Sequence, residues 1–156
     1  MITVSDLTGP GAIVPKLKVS SKKQALQELS AFAAKLTGGD ERQICEVLLQ
    51  RERLGTTGMG QGVAIPHGKM EGLTRLYGVF ARLETPVDFD ALDDQPVDLV
   101  FLLLAPEGAG ADHLKALARI SRLLRDPEMC EKLRGSDSAD AIFALLSEFE
   151  SAAFAA

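Results

Sequence analysis

Residues 60–69 read GQGVAIPHGK. This stretch decides the fold because it predicts a turn, then a short buried strand, then a histidine where the strand ends. Three of its ten residues are glycine, and His67 is one of only two histidines in a chain of 156 residues. The apolar run GVAIP, with turn residues on both sides, predicts a short buried strand. We therefore expect His67 at the carboxyl end of a strand, where functional sites collect in layered α/β sheets.

Two more strands are predicted after this segment. Residues 76–83 read LYGVFARL, and residues 97–104 read VDLVFLLL, which is nearly continuous in apolar side chains. A strand that is covered on both faces has this composition. The stretch ETPVDFDALDDQP at 84–96 is acidic and rich in turn residues, so it predicts a loop between the two strands.

Helices are predicted on both sides of the strands by apolar residues that recur every three or four positions. Upstream, the serine pair at 20–21 begins a first helix that ends at Gly38, and Asp40 begins a second helix. Downstream, a helix begins at Asp112 or a neighbour, and two more follow it. The first nineteen residues predict turns and one or two short extended segments. The alternation of helices and strands predicts one layered α/β domain.

Composition and charge exclude several classes of protein. The chain is 46% hydrophobic with a formal net charge of -5 and an isoelectric point near 5.1, which argues against a nucleic-acid partner. Its longest apolar run, LVFLLLA at 99–105, is too short for membrane insertion. The amino terminus does not resemble a signal peptide, so we expect a cytoplasmic protein. Cys45 and Cys130 predict two buried free thiols, with one disulfide as the alternative.

An imidazole at position 67 has three chemical roles open to it: general base, metal ligand or nucleophile. His67 and His113 are 46 residues apart and form no short ligand motif, so we expect no metal. The sequence also has no GxSxG motif, no P-loop and no GxGxxG after a strand. No cofactor is therefore expected, and a nucleophilic imidazole is the role that remains.

Two other residues suit a phosphoryl group. His113 stands at the start of a helix, where free amides attract anions, and Arg51 comes directly before the glycine-rich segment that leads to His67. A guanidinium group matches phosphate oxygens well. Together with the glycine-rich segment they could form a cradle for one phosphoryl group. The alternatives are a structural histidine at 67, a capping or solvated histidine at 113 and a surface arginine at 51, and spacing alone does not choose between these.

The stretch RERLGTTGMGQGVAIPHGK at 51–69 strongly resembles the active-site segment of the EIIA domains of the phosphoenolpyruvate-dependent phosphotransferase system, in the fructose/mannitol class. Residues 83–126 resemble the nitrogen-regulatory branch of that class. The resemblance implies one EIIA-type domain over residues 1–156, with a core at about 5–148, a short amino-terminal lead and a frayed carboxyl-terminal tail. It also implies an α/β sandwich in which helices flank a mixed sheet.

The resemblance further implies a role for each site residue. His67 matches the histidine that is phosphorylated at Nε2, His113 matches the second histidine that holds the phosphoryl group, and Arg51 matches the arginine that stabilises its charge. A backbone carbonyl is expected to hold His67 Nδ1 as N–H. We expect docking partners to contact the GVAIP strand end, with Met59 and Met70 either beside it or in the core.

The implied donor is a histidine-containing phosphocarrier protein of the nitrogen type. The expected function is that of a phosphotransferase component and regulator, whose targets include potassium-transport or sensor-kinase proteins. The alternative is a sugar-specific EIIA that passes the phosphoryl group to a separate EIIB. We favour the regulator because this sequence includes neither an EIIB-like nor a membrane segment. A binding module that has lost the chemistry is disfavoured because both histidines and the arginine are present.

Overall fold

The computed structural model of the chain describes residues 3–154. The helices of this part are α1 (Val4–Leu7), a 3-10 turn (Pro10–Ala12), α2 (Lys22–Thr37), α3 (Glu41–Leu54), α4 (Ala111–Leu124), α5 (Pro127–Arg134) and α6 (Ala139–Phe154). Its strands are β1 (Ile13–Leu17), β2 (Gly58–Gly60), β3 (Val63–Ala64), β4 (His67–Met70), β5 (Tyr77–Val87) and β6 (Val97–Pro106). None of these helices is long and apolar enough to cross a membrane.

The six strands form one mixed sheet in the order β1-β5-β6-β3-β2, with β4 also paired to β6. Strands β5 and β6 are antiparallel, whereas β3 and β4 both run parallel to β6. Helices cover both faces, so the predicted α/β sandwich is confirmed. From Leu99 to Ala105, alternate residues of β6 belong to two separate apolar clusters, which accounts for the nearly continuous apolar sequence of this strand.

Strands β3 and β4 lie one after the other along β6, and this arrangement positions His67. Val63 pairs with Leu99 and His67 pairs with Leu103. Pro66, which has no N–H to donate, lies in the gap between the two strands. The expectation that His67 ends a strand is therefore wrong: it is the first residue of β4 and pairs with Leu103, in the carboxyl-terminal half of β6.

The helix boundaries follow the predicted local signals. The Ser21 side chain accepts from the Gln24 amide at the start of α2, and Gly38 ends that helix with a φ of 75°. The Asp40 side chain caps α3 by accepting from the amides of residues 42 and 43. These caps are confirmed because they depend only on residues within one turn of each other.

The structure corrects or completes several expectations about the elements. Strand β5 continues to Val87, so residues 84–87 are not loop. Residues 4–7 form a helical turn. Helix α4 begins at Ala111, a neighbour of Asp112 as expected, and its cap residue is Gly110. Helix α6 extends to Phe154, and residues 1–2 and 155–156, the outer ends of the expected lead and tail, lie outside the described residues. Both cysteines are free, but only Cys130 is fully buried.

Candidate functional site

The two ring nitrogens of His67 have different partners. Nδ1 lies 2.9 Å from the carbonyl oxygen of Ile65. A carbonyl oxygen only accepts hydrogen bonds, so Nδ1 must carry the proton and Nε2 must keep its lone pair. The expected backbone carbonyl is thus found, two residues before the histidine. This tautomer makes Nε2 the nucleophilic nitrogen.

Arg51 approaches that nitrogen from the last turn of α3. Its Nε donates to His67 Nε2 over 3.3 Å, and its Nη1 donates to the carbonyl oxygen of Gly55 over 2.8 Å. The second contact fixes the guanidinium plane against the turn that follows the helix. The arginine therefore lies at the ring nitrogen that keeps its lone pair.

His113 lies beside His67 on the third residue of α4. The ring centroids are 5.6 Å apart and the ring planes meet at 65°. The residue is only 7% exposed, and its Nε2 has no hydrogen-bond partner within residues 3–154. An unsatisfied buried polar atom costs about 1–3 kcal/mol. A ligand that bonds to this nitrogen would recover that free energy.

The close packing of α3 on β4 explains how Arg51 reaches the histidine. A Cβ atom at Gly68 would lie 2.5 Å from Val47 Cγ1. Arg51 is four residues after Val47, so both side chains lie on the same face of α3. The absence of a side chain at Gly68 therefore leaves room for α3.

An open pocket of about 430 Å³ surrounds these groups. It is lined by Val47, Gln50, Arg51, Leu54, His67, Gly68, Lys69 and His113. Leu54 is 85% exposed at this pocket. Lys69 was not predicted from the sequence as a residue of the site. It could have been, because alternate residues of a strand face the same way and Lys69 is two residues after His67. The site is therefore an accessible cavity with two cationic side chains.

The glycine-rich segment does not belong to this pocket. A Cβ at Gly58 would contact Phe89 and Ala91, and one at Gly60 would contact Asp93. These glycines pack against the loop that precedes β6, so their expected part in a phosphoryl cradle is wrong.

The expected docking face around the GVAIP strand end is also wrong. Residues 63–66 are buried, and Met70 lies in the apolar core. Met59 lines a different depression, next to Leu92 and Leu124. The exposed apolar side chain at the pocket is Leu54 instead.

Burial lowers the pKa of His67, and the charge of Arg51 lowers it further. The hydrogen bond to Ile65 and the carboxylate of Glu52 act in the opposite direction. The pKa of His113 is also lowered, first by burial and then by His67 and Lys69. Both shifts favour the neutral form of the imidazole. No group of three or more histidine, cysteine or acidic side chains within residues 3–154 could hold a metal ion.

Comparison with known proteins agrees with this geometry. The sequence matches the family described as "Phosphoenolpyruvate-dependent sugar phosphotransferase system, EIIA 2" over residues 7–149. A nitrogen regulatory protein of Bradyrhizobium diazoefficiens is 66% identical over 144 residues, which cover 92% of this chain and 94% of that protein. A fructose-specific EIIA component of Haloferax volcanii is 35% identical, with 92% of this chain and 97% of that protein covered.

A solved structure extends the agreement to the fold. The crystal structure of the nitrogen regulatory protein IIA-Ntr from Neisseria meningitidis matches with a TM-score of 0.87 and 36% identity, and covers 92% of this chain and 98% of that one. The resemblance to the nitrogen-regulatory branch is thereby confirmed. The chain belongs to the EIIA 2 family of the phosphoenolpyruvate-dependent sugar phosphotransferase system.

Proposed function

We propose that this chain is a phosphoryl-carrier regulatory protein that accepts a phosphoryl group on Nε2 of His67. The observation that carries the proposal is the hydrogen bond from Nδ1–H to the Ile65 carbonyl, which leaves the Nε2 lone pair at an open pocket. The donor is a histidine-containing phosphocarrier protein of the nitrogen type. Partner proteins then bind or release the chain according to its phosphorylation state.

The transfer is a displacement at phosphorus. The lone pair of His67 Nε2 forms the new N–P bond, the donor's N–P bond breaks, and the departing imidazole keeps its electron pair. Such a reaction depends on in-line placement and charge stabilisation more than on covalent help from the protein. The hydrogen bond from Nδ1 to the Ile65 carbonyl fixes both the tautomer and the direction of the ring, and so places Nε2 for attack.

The groups around Nε2 would stabilise the charge of the transferred phosphoryl group. The guanidinium of Arg51, now 3.3 Å from that nitrogen, would bond to the phosphoryl oxygens instead. His113 Nε2, when it carries the ring proton, would donate to another oxygen. The amino-terminal end of α4 has no side-chain cap, so its amides add a partial positive charge on the same side.

A nitrogen-type regulator is the first choice because the relative at 66% identity is a nitrogen regulatory protein. Potassium-transport and sensor-kinase proteins remain the proposed classes of target, in the cytoplasm. The second candidate is a sugar-specific EIIA that passes the group to an EIIB. It is supported by the fructose-specific relative of Haloferax volcanii, which is similar over most of both chains.

The test is phosphoryl transfer in a mixture of phosphoenolpyruvate, Enzyme I, a phosphocarrier and this chain. We expect acid-labile, alkali-stable phosphate on the wild type, none on His67→Ala, and slower labelling of His113→Ala. An unlabelled wild type with both nitrogen-type and sugar-type carriers would overturn the proposal. Rapid onward transfer to a sugar-class EIIB would favour the second candidate.

A further inference from the structure

A buried negative charge lies one residue from Arg51. The Glu52 side chain is only 4% exposed, although the carboxyl end of a helix disfavours an acidic side chain. Its Oε1 accepts from the amide of Thr57 over 3.1 Å and also from the Thr57 hydroxyl. Lys22 of α2 lies 3.3 Å from Oε2 and balances the charge. The carboxylate thus holds the turn at residues 55–57 to the end of α3.

One arm of contacts runs from this turn to Nε2 of His67. The main-chain amide of Gly55 donates to the main-chain carbonyl oxygen of Glu52 over 3.2 Å, and the carboxylate acts on this turn through Thr57, two residues after Gly55. The carbonyl oxygen of Gly55 accepts from Arg51 Nη1, and Arg51 Nε then donates to His67 Nε2. The direction of the guanidinium therefore depends on where the turn places one carbonyl group.

A second arm runs from the same turn to Nδ1. The carbonyl oxygen of Thr57 accepts from the amide of Ile65 over 3.1 Å. The carbonyl oxygen of Ile65 accepts in turn from His67 Nδ1. The residue whose carbonyl group fixes the tautomer is therefore itself held, through its N–H, by Thr57, and Thr57 is bonded by Glu52 through both its amide and its hydroxyl.

We propose that Glu52 is a positioning residue for phosphoryl transfer, because its carboxylate fixes the turn from which both nitrogens of His67 are held. The inference rests on the proposed phosphoryl acceptance by His67. Glu52 touches neither His67 nor the reacting atoms, and it acts through Thr57, Ile65 and Arg51. Removing the carboxylate would release Thr57, which loosens the arm to Nδ1 directly and the arm to Nε2 through Gly55, two residues earlier. A change in Arg51 alone would loosen only the arm to Nε2.

The experiment compares Glu52→Ala, Glu52→Gln and a control, Glu46→Gln, which changes an exposed residue of the same helix. Loss of placement in an active site lowers rates by up to about 100-fold. We expect Glu52→Ala to lower the kcat of phosphoryl uptake by about 10- to 100-fold with little change in the KM for the donor. Glu52→Gln keeps an oxygen for Thr57 and is expected to lie between Glu52→Ala and wild type, and Glu46→Gln should match wild type.

A second readout separates positioning from a merely structural role. Nitrogen-15 NMR of the imidazoles at pH 8 reports which ring nitrogen of His67 carries the proton. We expect a single Nδ1–H tautomer in wild type and a mixture in folded Glu52→Ala. A folded Glu52→Ala with the wild-type tautomer and the wild-type kcat would overturn the inference. If no chain is labelled, the proposed function fails, and the NMR comparison still decides whether Glu52 positions the ring.

Discussion

At position 67, neutrality of the imidazole is maintained by its surroundings. Burial is the largest influence on the pKa of His67, and it acts together with the Arg51 charge against the protonated form. His113 and Lys69 also lie at the pocket. The negative charge of Glu52 acts in the opposite direction and raises the pKa of His67. A protonated imidazole has no lone pair on Nε2, so only the neutral ring can attack phosphorus.

The pH dependence of phosphoryl uptake follows from this shift. Since the pKa of His67 is lowered, the ring stays neutral to a lower pH than an ordinary histidine does. The uptake rate should be constant near neutrality and should fall only below the ordinary histidine pKa. Initial rates from pH 8 to pH 5, corrected with a reference acceptor for titration of the donor, would check this. Half-loss of the rate at or above the ordinary histidine pKa would contradict it.

Among the elements, the contact between α3 and β4 decides where the arginine lies. Gly68 permits this contact because a side chain there would collide with Val47. Oversized groups in packed contacts cost about 1–3 kcal/mol. A side chain at position 68 would push α3 away from β4. This shift would also move Arg51 away from His67, since the arginine follows Val47 by one helical turn.

We therefore expect Gly68→Ala to lower the free energy of unfolding by about 1–3 kcal/mol and to slow phosphoryl uptake. The matched control is Gly108→Ala, where a Cβ would meet nothing within 4 Å. Urea unfolding and uptake rates measure the two effects. An unchanged uptake rate in Gly68→Ala would mean that the spacing of α3 and β4 does not position the arginine.

The elements also show what local sequence signals could predict. The caps at Ser21, Gly38 and Asp40 were predictable because each lies next to the helix that it starts or ends. The site residues His67, His113 and Arg51 were named from their motif. The break between β3 and β4 was missed because it depends on pairing with β6, more than thirty residues later. The roles of Gly68 and Glu52 depend on packing between distant segments, which spacing does not reveal.

The whole molecule has two apolar cores that share one sheet. Leu29 belongs to the cluster under α2 and α3, and Ile120 belongs to the cluster under α4, α5 and α6. Strand β6 contributes side chains to both clusters. Neither core can lose its packing without exposing one face of the shared sheet, so we expect the two to unfold together.

Leu29→Ala and Ile120→Ala test this coupling. Each truncation of a fully buried side chain should lower the free energy of unfolding by about 2–5 kcal/mol. Both variants should keep one transition that coincides in far-ultraviolet circular dichroism and in the fluorescence of Tyr77, the chain's only tyrosine. A second transition in either variant would show that the two cores unfold separately.

The place of His67 at the start of β4, paired to Leu103 of the central strand, has a consequence for signalling. A backbone that is hydrogen-bonded in a sheet does not change its conformation easily. A partner protein would therefore detect a phosphoryl group there by its charge and not by a movement of the chain. At physiological ionic strength that charge is screened over about 8 Å. Val97, at the far end of β6, is six residues from the partner of His67, or about 20 Å along the strand. A protein that responds to this modification must therefore bind over the pocket itself, and its response must weaken as salt is added.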